Sequence, residues 1–267
     1  MDYIFECKNF DPRQILFCGQ CFRWTESDGV YSGIVGDKFL RLSKSGDTVT
    51  FYNIDETDAV FWQDYFDLDT DYGKIIETLS DDMFLREACK EKSGIRVLRQ
   101  PPFETLISFI ISQNNNIKRI TGIISRLCES FGRKKDFGYM FPTAKELDGI
   151  TAEDLAPLRA GFRAKYIVDA VEKVNSGEVD LDALYDMDSD AAREKLKTIK
   201  GVGDKVADCV LLFAYHKIDA FPRDVWIKRA TAALYPDGLP ECFCGVEGIA
   251  QQYLFDYVRT HPELISE

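Results

Sequence analysis

The segment "IKGVGDKVADC" (Ile199–Cys209) interrupts a helical pattern with two glycines and then places a lysine close behind them. The flanking residues predict a helix from Ser189 to Lys197, a turn over residues 199–203 and a second helix from Asp204 onward. Glycine accepts positive φ and has no side chain, so N–H groups at the start of the second helix can face a phosphate. On these residues alone, the segment is either a phosphate-binding hairpin or an ordinary helix–helix connection.

The composition is that of a soluble globular protein. The chain has 267 residues, of which 45% are hydrophobic and 29% charged, enough for one large domain or two ordinary ones. No apolar run approaches the ~20 residues of a membrane span, and the start "MDYIFECKNF" has no targeting pattern. We therefore expect a cytoplasmic or nucleoid-associated protein that makes no membrane contact.

The net charge of −12 argues against a nucleic-acid partner, but the charge is unevenly distributed. Residues 55–82 hold ten acids and one lysine, whereas residues 117–135 hold six bases and one acid. Residues 197–229 are also basic, with seven bases and four acids. A locally basic face on an acidic protein is therefore compatible with binding to a phosphate backbone.

Eight cysteines are present, and Cys18 and Cys21 have the spacing of half a zinc site. A second such pair is lacking, and the only histidines are His216 and His261. Since a structural zinc site needs four ligands, we expect reduced thiols and no metal centre.

The apolar periodicity changes along the chain. Residues 21–53 alternate in short runs, with turns at Ser27-Asp28-Gly29, Val35-Gly36-Asp37 and Ser45-Gly46-Asp47, which predicts an antiparallel meander. From about Thr57 the period becomes helical. The sequence predicts an α+β fold, with a small antiparallel β-sheet domain over residues 1–80 and an all-α body over residues 81–267. The helices predicted in the body span residues 103–113, 117–131, 143–147, 151–158, 163–176, 189–197, 203–215, 224–234 and 245–259.

Three separated motifs resemble a known family. "LKTIKGVGDKVADCVLLFA" followed by "AFPRDVW" resembles the helix-hairpin-helix signature of base-excision DNA glycosylases. Together with "SFIISQNNNIKRITG" and "GQCFRW", it is similar to the 8-oxoguanine DNA glycosylase family, from the N-terminal strands to about Phe255. The resemblance implies a monomeric glycosylase and AP lyase that excises 8-oxoguanine from double-stranded DNA, preferably opposite cytosine, and requires no organic cofactor.

Lys205 matches the catalytic lysine of this family. An amine that attacks the sugar C1′ forms a Schiff base, which permits strand cleavage by β-elimination. Desolvation, a nearby cation or a helix N-terminus favours the neutral amine that this chemistry needs. Without the resemblance, a phosphate contact is the favoured interpretation of Lys205. Asp224 matches the catalytic aspartate, although its position after Pro222 is also that of an ordinary N-cap.

The resemblance also assigns a base-binding pocket. The carbonyl of Gly19 would accept a hydrogen bond from N7–H, which 8-oxoguanine has and guanine lacks. Phe255 and Cys209 would lie on the two sides of the flipped base, and Gln251 would contact its Watson–Crick edge. Without the resemblance, these residues are a core Phe, a core Cys and a surface Gln.

Further positions are implied to bind DNA. The loop of residues 114–116 would fill the space left by the flipped nucleotide, with Asn114 at the orphaned cytosine and Arg119 and Arg163 contacting the edge of that cytosine. Phe162 matches an aromatic wedge. The remaining DNA-binding assignments are Asn115, Asn116, Gly201, Gly203 and Trp226. Eukaryotic members have tyrosine at position 162 and histidine at position 226, so this chain departs from them there.

Two rival functions remain open at this point. An alkylated-base glycosylase of the same superfamily shares the β-domain and the aspartate but lacks the lysine, whereas a non-catalytic helix-hairpin-helix protein would only bind DNA. The resemblance also allows a non-catalytic cation between a DNA phosphate and the main-chain carbonyls of Lys197, Ile199 and Val202.

Overall fold

The structure, a computed structural model, describes residues 1–265. Its N-terminal part contains a five-stranded antiparallel sheet with the order β1-β5-β4-β3-β2. The strands are β1 (Tyr3–Glu6), β2 (Trp24–Ser27), β3 (Val30–Val35), β4 (Lys38–Ser45) and β5 (Thr48–Tyr52). The meander and its three turns are confirmed, and Gly29, Gly36 and Gly46 have the positive φ that tight turns require. The sequence did not predict β1, which adds an edge strand beside β5.

One face of this sheet forms a core of its own. Leu42 of β4 lies opposite Phe51 of β5, and both side chains are fully buried. The aromatic rings of Trp62 and Phe66 cover this face, since Phe66 contacts Phe51 with a centroid distance of 5.5 Å. Alternation of buried and exposed side chains along the strands therefore attaches the sheet to the first helical segment.

Eleven α-helices occur within residues 1–265, and their bounds are α1 (Pro12–Phe17), α2 (Glu56–Tyr65), α3 (Tyr72–Leu79), α4 (Met83–Glu91), α5 (Pro102–Ser112), α6 (Ile117–Phe131), α7 (Ala164–Asn175), α8 (Ser189–Lys197), α9 (Asp204–Tyr215), α10 (Val225–Leu234) and α11 (Glu247–Thr260). Seven of the nine helices predicted in the body are present within two residues of their expected bounds. Asparagine and aspartate caps begin many of them, as at Asn116, Asp188 and Asp224.

Two predicted helices are wrong in type. Residues 143–147 and 151–158 form only single 3-10 turns, at Lys145–Leu147 and Ala156–Leu158. Thr143 and Glu146 do form a reciprocal cap, but Gly149, at φ +71°, ends the segment. Pro157 removes a donor from the second segment, and Arg159 then turns it into the left-handed region.

A two-stranded hairpin that the sequence did not predict follows α6. Its strands are β6 (Lys134–Lys135) and β7 (Gly138–Tyr139). Between them, the ring of Phe137 stacks on Phe39 of β4 with a centroid distance of 5.4 Å. The hairpin therefore connects the helical body to the sheet.

Helix α9 lies at the centre of the second, larger core. All ten residues from Val206 to Tyr215 are buried, and α9 packs extensively against α5. A helix that is buried all round is fixed in position by its neighbours. Its N-terminal part, with Asp204, Lys205 and Asp208, lines a cleft.

Candidate active site and nucleic-acid interface

A cleft of about 1260 Å³ brings together parts of the chain that are distant in sequence. It is lined by the turn at Gly19, the α5–α6 loop, Phe162, the start of α9, residues 219–228 and two side chains of α11. Its volume exceeds the ~300–1,000 Å³ that is usual for a small-molecule pocket. The cleft is therefore large enough to admit part of a polymer.

Ten of the fifteen predicted site residues line this cleft: Gly19, Asn114, Asn115, Asn116, Phe162, Gly203, Lys205, Asp224, Trp226 and Phe255. The other five lie behind or beside its wall: Arg119, Arg163, Gly201, Cys209 and Gln251. The structure thus brings most of the predicted positions into one cleft.

The hairpin between α8 and α9 owes its shape to its two glycines in different ways. Gly201 has φ +80°, and a Cβ atom there would lie 2.3 Å from the ring of Tyr166. Gly203 has φ −103° and would carry a Cβ atom without contact within 4 Å. Gly201 is therefore required by the fold, whereas Gly203 leaves the N-terminus of α9 open to a ligand.

Two contacts hold this hairpin in place. The backbone N–H of Lys200 donates to the Asp169 carboxylate at 2.7 Å, and Lys197 pairs with Asp204 at 2.8 Å. The second contact raises the pKa of Lys197 and lowers that of Asp204. The start of α9 is thus fixed before any partner binds.

Lys205 lies in the cleft with its Nζ 5.1 Å from the centroid of the Phe109 ring. Its neighbour one turn along α9 is Cys209, whose pKa is raised to about 11 by burial, although the Lys205 charge partly opposes that rise. The thiol is therefore protonated at neutral pH. The amine lies between an aromatic face and a neutral thiol, on a helix whose residues from Val206 to Tyr215 are all buried.

Asp224 acts as the N-cap of α10, because its Oδ1 accepts a hydrogen bond from the N–H of Ile227 at 2.8 Å. The same carboxylate lines the cleft. The cap and a cleft-facing position are therefore compatible, as the sequence predicts.

Around Gly19, the structure places a turn against the ring of Phe255. Gly19 has φ +101°, and a Cβ atom built on it would lie 4.0 Å from Cε1 of Phe255. Gln251 is 3% exposed, with its Nε2 donating to the Pro222 carbonyl at 3.2 Å and its Oε1 accepting from Gln252 at 2.6 Å. The interpretation of Gln251 as a surface glutamine is wrong, and these two hydrogen bonds hold its amide in one orientation.

The three consecutive asparagines form the α5–α6 loop. Asn114 has φ +46°, Asn115 donates from Nδ2 to the Ile111 carbonyl, and Asn116 caps α6 through the N–H of Arg119. The side chain of Asn116 caps α6, and that of Asn115 hydrogen-bonds to the last turn of α5. Among the three asparagines, only the side chain of Asn114 takes no part in ending or beginning a helix. Asn114 is also exposed.

Arg163 supports this loop from behind. Its side chain is 2% exposed and donates to the carbonyls of Gln113 at 2.8 Å, Asn114 at 2.9 Å and Ala160 at 3.1 Å. Burial, together with the nearby charge of Arg119, lowers the pKa of Arg163. Arg119 itself is exposed. The ring of Phe162, which is 51% exposed, lies 4.4 Å from the guanidinium carbon of Arg163.

Several cleft residues were missed from the sequence. Arg223 is exposed next to Asp224, and Arg193 pairs with the buried carboxylate of Asp208 at 2.6 Å. Phe109 belongs to α5, whose apolar sequence predicts a core helix, so no sequence signal distinguished Phe109 from the core residues around it. Arg259 lies four residues after Phe255, and this spacing on one helical face was a usable signal.

In the described residues 1–265, all eight cysteines are free thiols, and no group of three or more His, Cys, Asp or Glu side chains is placed to hold a metal ion. None of the helices in this part of the chain has the length and apolarity to cross a bilayer.

A helix-hairpin-helix with a lysine in its second helix and a capping aspartate beyond it defines a DNA glycosylase of the helix-hairpin-helix class. Accordingly, residues 107–238 match the HhH-GPD superfamily of base excision DNA repair proteins, and residues 3–106 match the 8-oxoguanine DNA glycosylase N-terminal domain. The chain belongs to the 8-oxoguanine DNA glycosylase family.

Similar proteins extend over nearly the whole chain. A structure of MBOgg1 in complex with a low affinity DNA ligand is 44% identical, has a TM-score of 0.93, and covers 98% of this chain and 96% of its own. The Clostridium acetobutylicum 8-oxoguanine glycosylase/lyase, in complex with double-stranded DNA containing cytosine opposite 8-oxoG, is 40% identical, with a TM-score of 0.91 and 98% coverage of both chains.

The N-glycosylase/DNA lyase of Saccharomyces cerevisiae is 34% identical over 249 residues, which cover 80% of this chain. The match spans 65% of the length of that yeast protein.

Proposed function

We propose that this protein is a bifunctional DNA glycosylase and AP lyase that removes 8-oxoguanine from duplex DNA, preferably opposite cytosine. The observation that carries the proposal is the presence of Lys205 in one cleft with Asp224, Gly19 and Phe255. The names of the similar proteins support the same activity.

The reaction begins when Nζ of Lys205, as the neutral amine, attacks C1′ of the damaged nucleotide. The C1′–N9 bond breaks, and the base leaves with the bonding electron pair and takes up a proton. The Asp224 carboxylate stabilises the positive charge that develops on the sugar. Loss of a proton from nitrogen and opening of the sugar ring give a Schiff base, and loss of the C2′ proton then expels the 3′ phosphate.

Recognition of the lesion depends on the Gly19 turn and Phe255. The flipped base stacks on Phe255, with Cys209 on its other side, while the Gly19 carbonyl accepts from N7–H. Guanine has an unprotonated N7, which would place a second acceptor opposite this carbonyl. The binding free energies of the two bases should therefore differ by about 1–3 kcal/mol, the difference between a hydrogen bond and a repulsion. Gln251, already held by Pro222 and Gln252, offers its remaining amide sites to the Watson–Crick edge.

Phosphate binding uses the open N-terminus of α9 at Gly203. The hairpin carbonyls also suit a bound cation, because the Ile199 carbonyl uses one acceptor site for the N–H of Val202, at 3.0 Å, and retains another. Lys197 and Val202 would supply the other carbonyls, and the cation would neutralise phosphate charge without taking part in the reaction.

The activity is tested with an 8-oxoguanine:cytosine duplex under single-turnover conditions, with borohydride present to reduce the Schiff base. Wild type should release the base, cut the strand and become covalently trapped. Lys205→Gln should bind the duplex and trap nothing, whereas Lys200→Gln, the same change on the same hairpin, should still be trapped.

Other outcomes separate the rival functions. Base release without trapping or strand cleavage would identify a monofunctional glycosylase, and excision of an alkylated base but not 8-oxoguanine would identify the alkylation class. Binding with no chemistry would leave only a DNA-binding protein. Trapping that persists in Lys205→Gln would refute the role of that lysine.

A further inference from the structure

Arg259 contacts both parts of the pocket that would discriminate 8-oxoguanine. It lies on α11, one turn after Phe255, and its guanidinium carbon is 5.1 Å from the centroid of the Phe255 ring. Its Nη1 also donates to the carbonyl of Cys18 at 3.2 Å. Since Cys18 and Gly19 share a peptide unit, one side chain connects the aromatic ring to the turn that carries Gly19.

The Gly19 turn and the Phe255 ring are close neighbours. A Cβ atom added at Gly19 would be in ordinary van der Waals contact with Phe255, at 4.0 Å, and with Ile117, at 3.9 Å. Gly19 also has φ +101°, a backbone conformation that glycine adopts readily. A small shift of this turn would move its carbonyl relative to the plane of a base stacked on Phe255.

The charge of Arg259 is available for interaction with the Phe255 ring and the Cys18 carbonyl. Within residues 1–265 no carboxylate forms an ion pair with it, because the adjacent Asp256 pairs with Lys92 at 3.3 Å instead. A planar guanidinium can lie on a ring and donate sideways at the same time, which an ammonium group cannot do. Arg259 also lines the cleft.

We propose that Arg259 is a positioning residue for lesion recognition, which sets the spacing between the Phe255 ring and the Gly19 carbonyl. This inference rests on the proposed function and assigns a determinant of its specificity. Excision of the base requires that it contact the Phe255 ring and the Gly19 carbonyl at once, whereas cleavage at a site that has already lost its base requires neither contact. Arg259 should therefore matter for the first reaction and not for the second.

The test compares two substrates with each variant, an 8-oxoguanine:cytosine duplex and the same duplex with a preformed abasic site. For Arg259→Ala, the single-turnover rate of 8-oxoguanine excision at saturating enzyme should fall roughly 10- to 100-fold, from the loss of one cation–π contact and one charged hydrogen bond. Cleavage of the abasic duplex should stay within about twofold of wild type, because Lys205 chemistry is intact.

Two further variants complete the comparison. Arg259→Lys keeps a positive charge near the Phe255 ring but loses the planar guanidinium. Its rate of 8-oxoguanine excision should therefore lie between those of wild type and Arg259→Ala. Arg86→Ala is the matched control, because Arg86 also donates to a main-chain carbonyl, that of Ser80 at 2.8 Å, and does not line the cleft. Its rates on both substrates should equal those of wild type.

Each result has a distinct meaning. Equal losses on the two substrates would show that Arg259 only supports the fold, and unchanged excision in Arg259→Ala would show that it does not position the pocket; either would overturn the inference alone. Failure of the wild type to excise 8-oxoguanine would overturn the proposed function and the inference with it.

Discussion

At the residue scale, the two hairpin glycines should respond differently to the same change. Gly201→Ala places a methyl group at positive φ and 2.3 Å from Tyr166, so the free energy of unfolding should fall by about 2–4 kcal/mol. Gly203→Ala meets no atom within 4 Å, and its cost should stay below about 1 kcal/mol. Urea denaturation of both variants measures these values.

The same pair separates folding from binding. A methyl group at position 203 would stand between the N-terminus of α9 and a phosphate, so Gly203→Ala should bind duplex DNA about tenfold more weakly, which corresponds to one hydrogen bond to a charged group. Wild-type affinity in Gly203→Ala would contradict the use of this helix terminus for phosphate binding.

The two arginines near the asparagine loop should also differ in their effects. Arg119 is exposed, and Arg119→Ala should relax the preference for cytosine opposite the lesion by about tenfold without affecting stability. Arg163→Ala should relax the preference and also destabilise the protein by about 1–3 kcal/mol, because three main-chain carbonyls lose a buried donor.

Single-turnover excision from duplexes with C, A, G or T opposite 8-oxoguanine measures the preference in each protein. Equal rates with all four partner bases in the wild type, or a full preference retained by both variants, would refute the assignment of these arginines.

At the scale of elements, the position of α9 depends on its far end as well as on its packing. His216 ends this helix at φ +51°, and its Nε2 lies 3.0 Å from Oδ2 of Asp67 in the N-terminal part of the chain. Asp67 is 1% exposed and also accepts from Arg99 at 2.8 Å, Thr70 at 2.8 Å and Tyr72 at 3.1 Å. The helix that carries Lys205 is thus tied to the region that follows the sheet.

Acid should weaken this connection. Burial alone would raise the pKa of Asp67, but hydrogen bonds from His216, Arg99 and Thr70 outweigh it and lower the pKa from 3.8 to about 2. A carboxyl group whose pKa is lower in the folded state than in the unfolded state stabilises the fold at pH values above its unfolded-state pKa. This contribution, worth about 2 kcal/mol at neutral pH, is lost as the pH falls towards the folded-state pKa.

Asp67→Asn should therefore lower the free energy of unfolding by about 2 kcal/mol or more at pH 7, and the difference from wild type should shrink to roughly half at pH 3. Asp64→Asn is the control, because Asp64 pairs with the same Arg99 at 3.6 Å but is 69% exposed, and it should cost below about 0.5 kcal/mol. A difference for Asp67→Asn that is constant from pH 7 to pH 3 would contradict this account.

Helices and strands were predictable where many residues share one period, as in α6, where the apolar side chains recur along a single face. The hairpin β6–β7 was not, because its strands, Lys134–Lys135 and Gly138–Tyr139, are only two residues long and carry no period. Likewise, Lys205 and Gly19 were recognisable from local motifs. The burial of Arg163 was not, since its partners are carbonyls about 50 residues earlier in the chain.

At the scale of the whole molecule, the acidic stretch of residues 55–82 is separated from the cleft in space as well as in sequence. The described residues 55–82, which hold ten acids, contribute no side chain to the cleft. Arg193, Lys205, Arg223, Lys228 and Arg259 all line it. Four acids, Asp204, Asp208, Asp219 and Asp224, also line the cleft, so the bases outnumber the acids there by one. Exposed charges more than a Debye length from the cleft, about 10 Å at 0.1 M salt, are largely screened.

DNA affinity should consequently depend on salt as it does for a basic protein. Each phosphate that the protein neutralises releases counterions and contributes about −0.9 to the slope of log K against log salt, so a few contacts predict a slope of about −3 to −5.

Lys228→Ala removes an exposed base from the cleft and should make this slope less negative by about 0.9. Lys90→Ala removes an exposed lysine of α4 that does not line the cleft and should leave the slope unchanged. Neutralising Asp69 and Glu77 in the acidic stretch should also leave it unchanged, because the slope counts phosphate contacts and not net charge. Binding isotherms of all four proteins between 50 and 200 mM salt, a range over which phosphate contacts weaken binding steeply, provide the measurement. A flat slope in the wild type, or one that changes with Asp69 and Glu77 but not with Lys228, would show that the net charge of −12 governs the encounter with DNA.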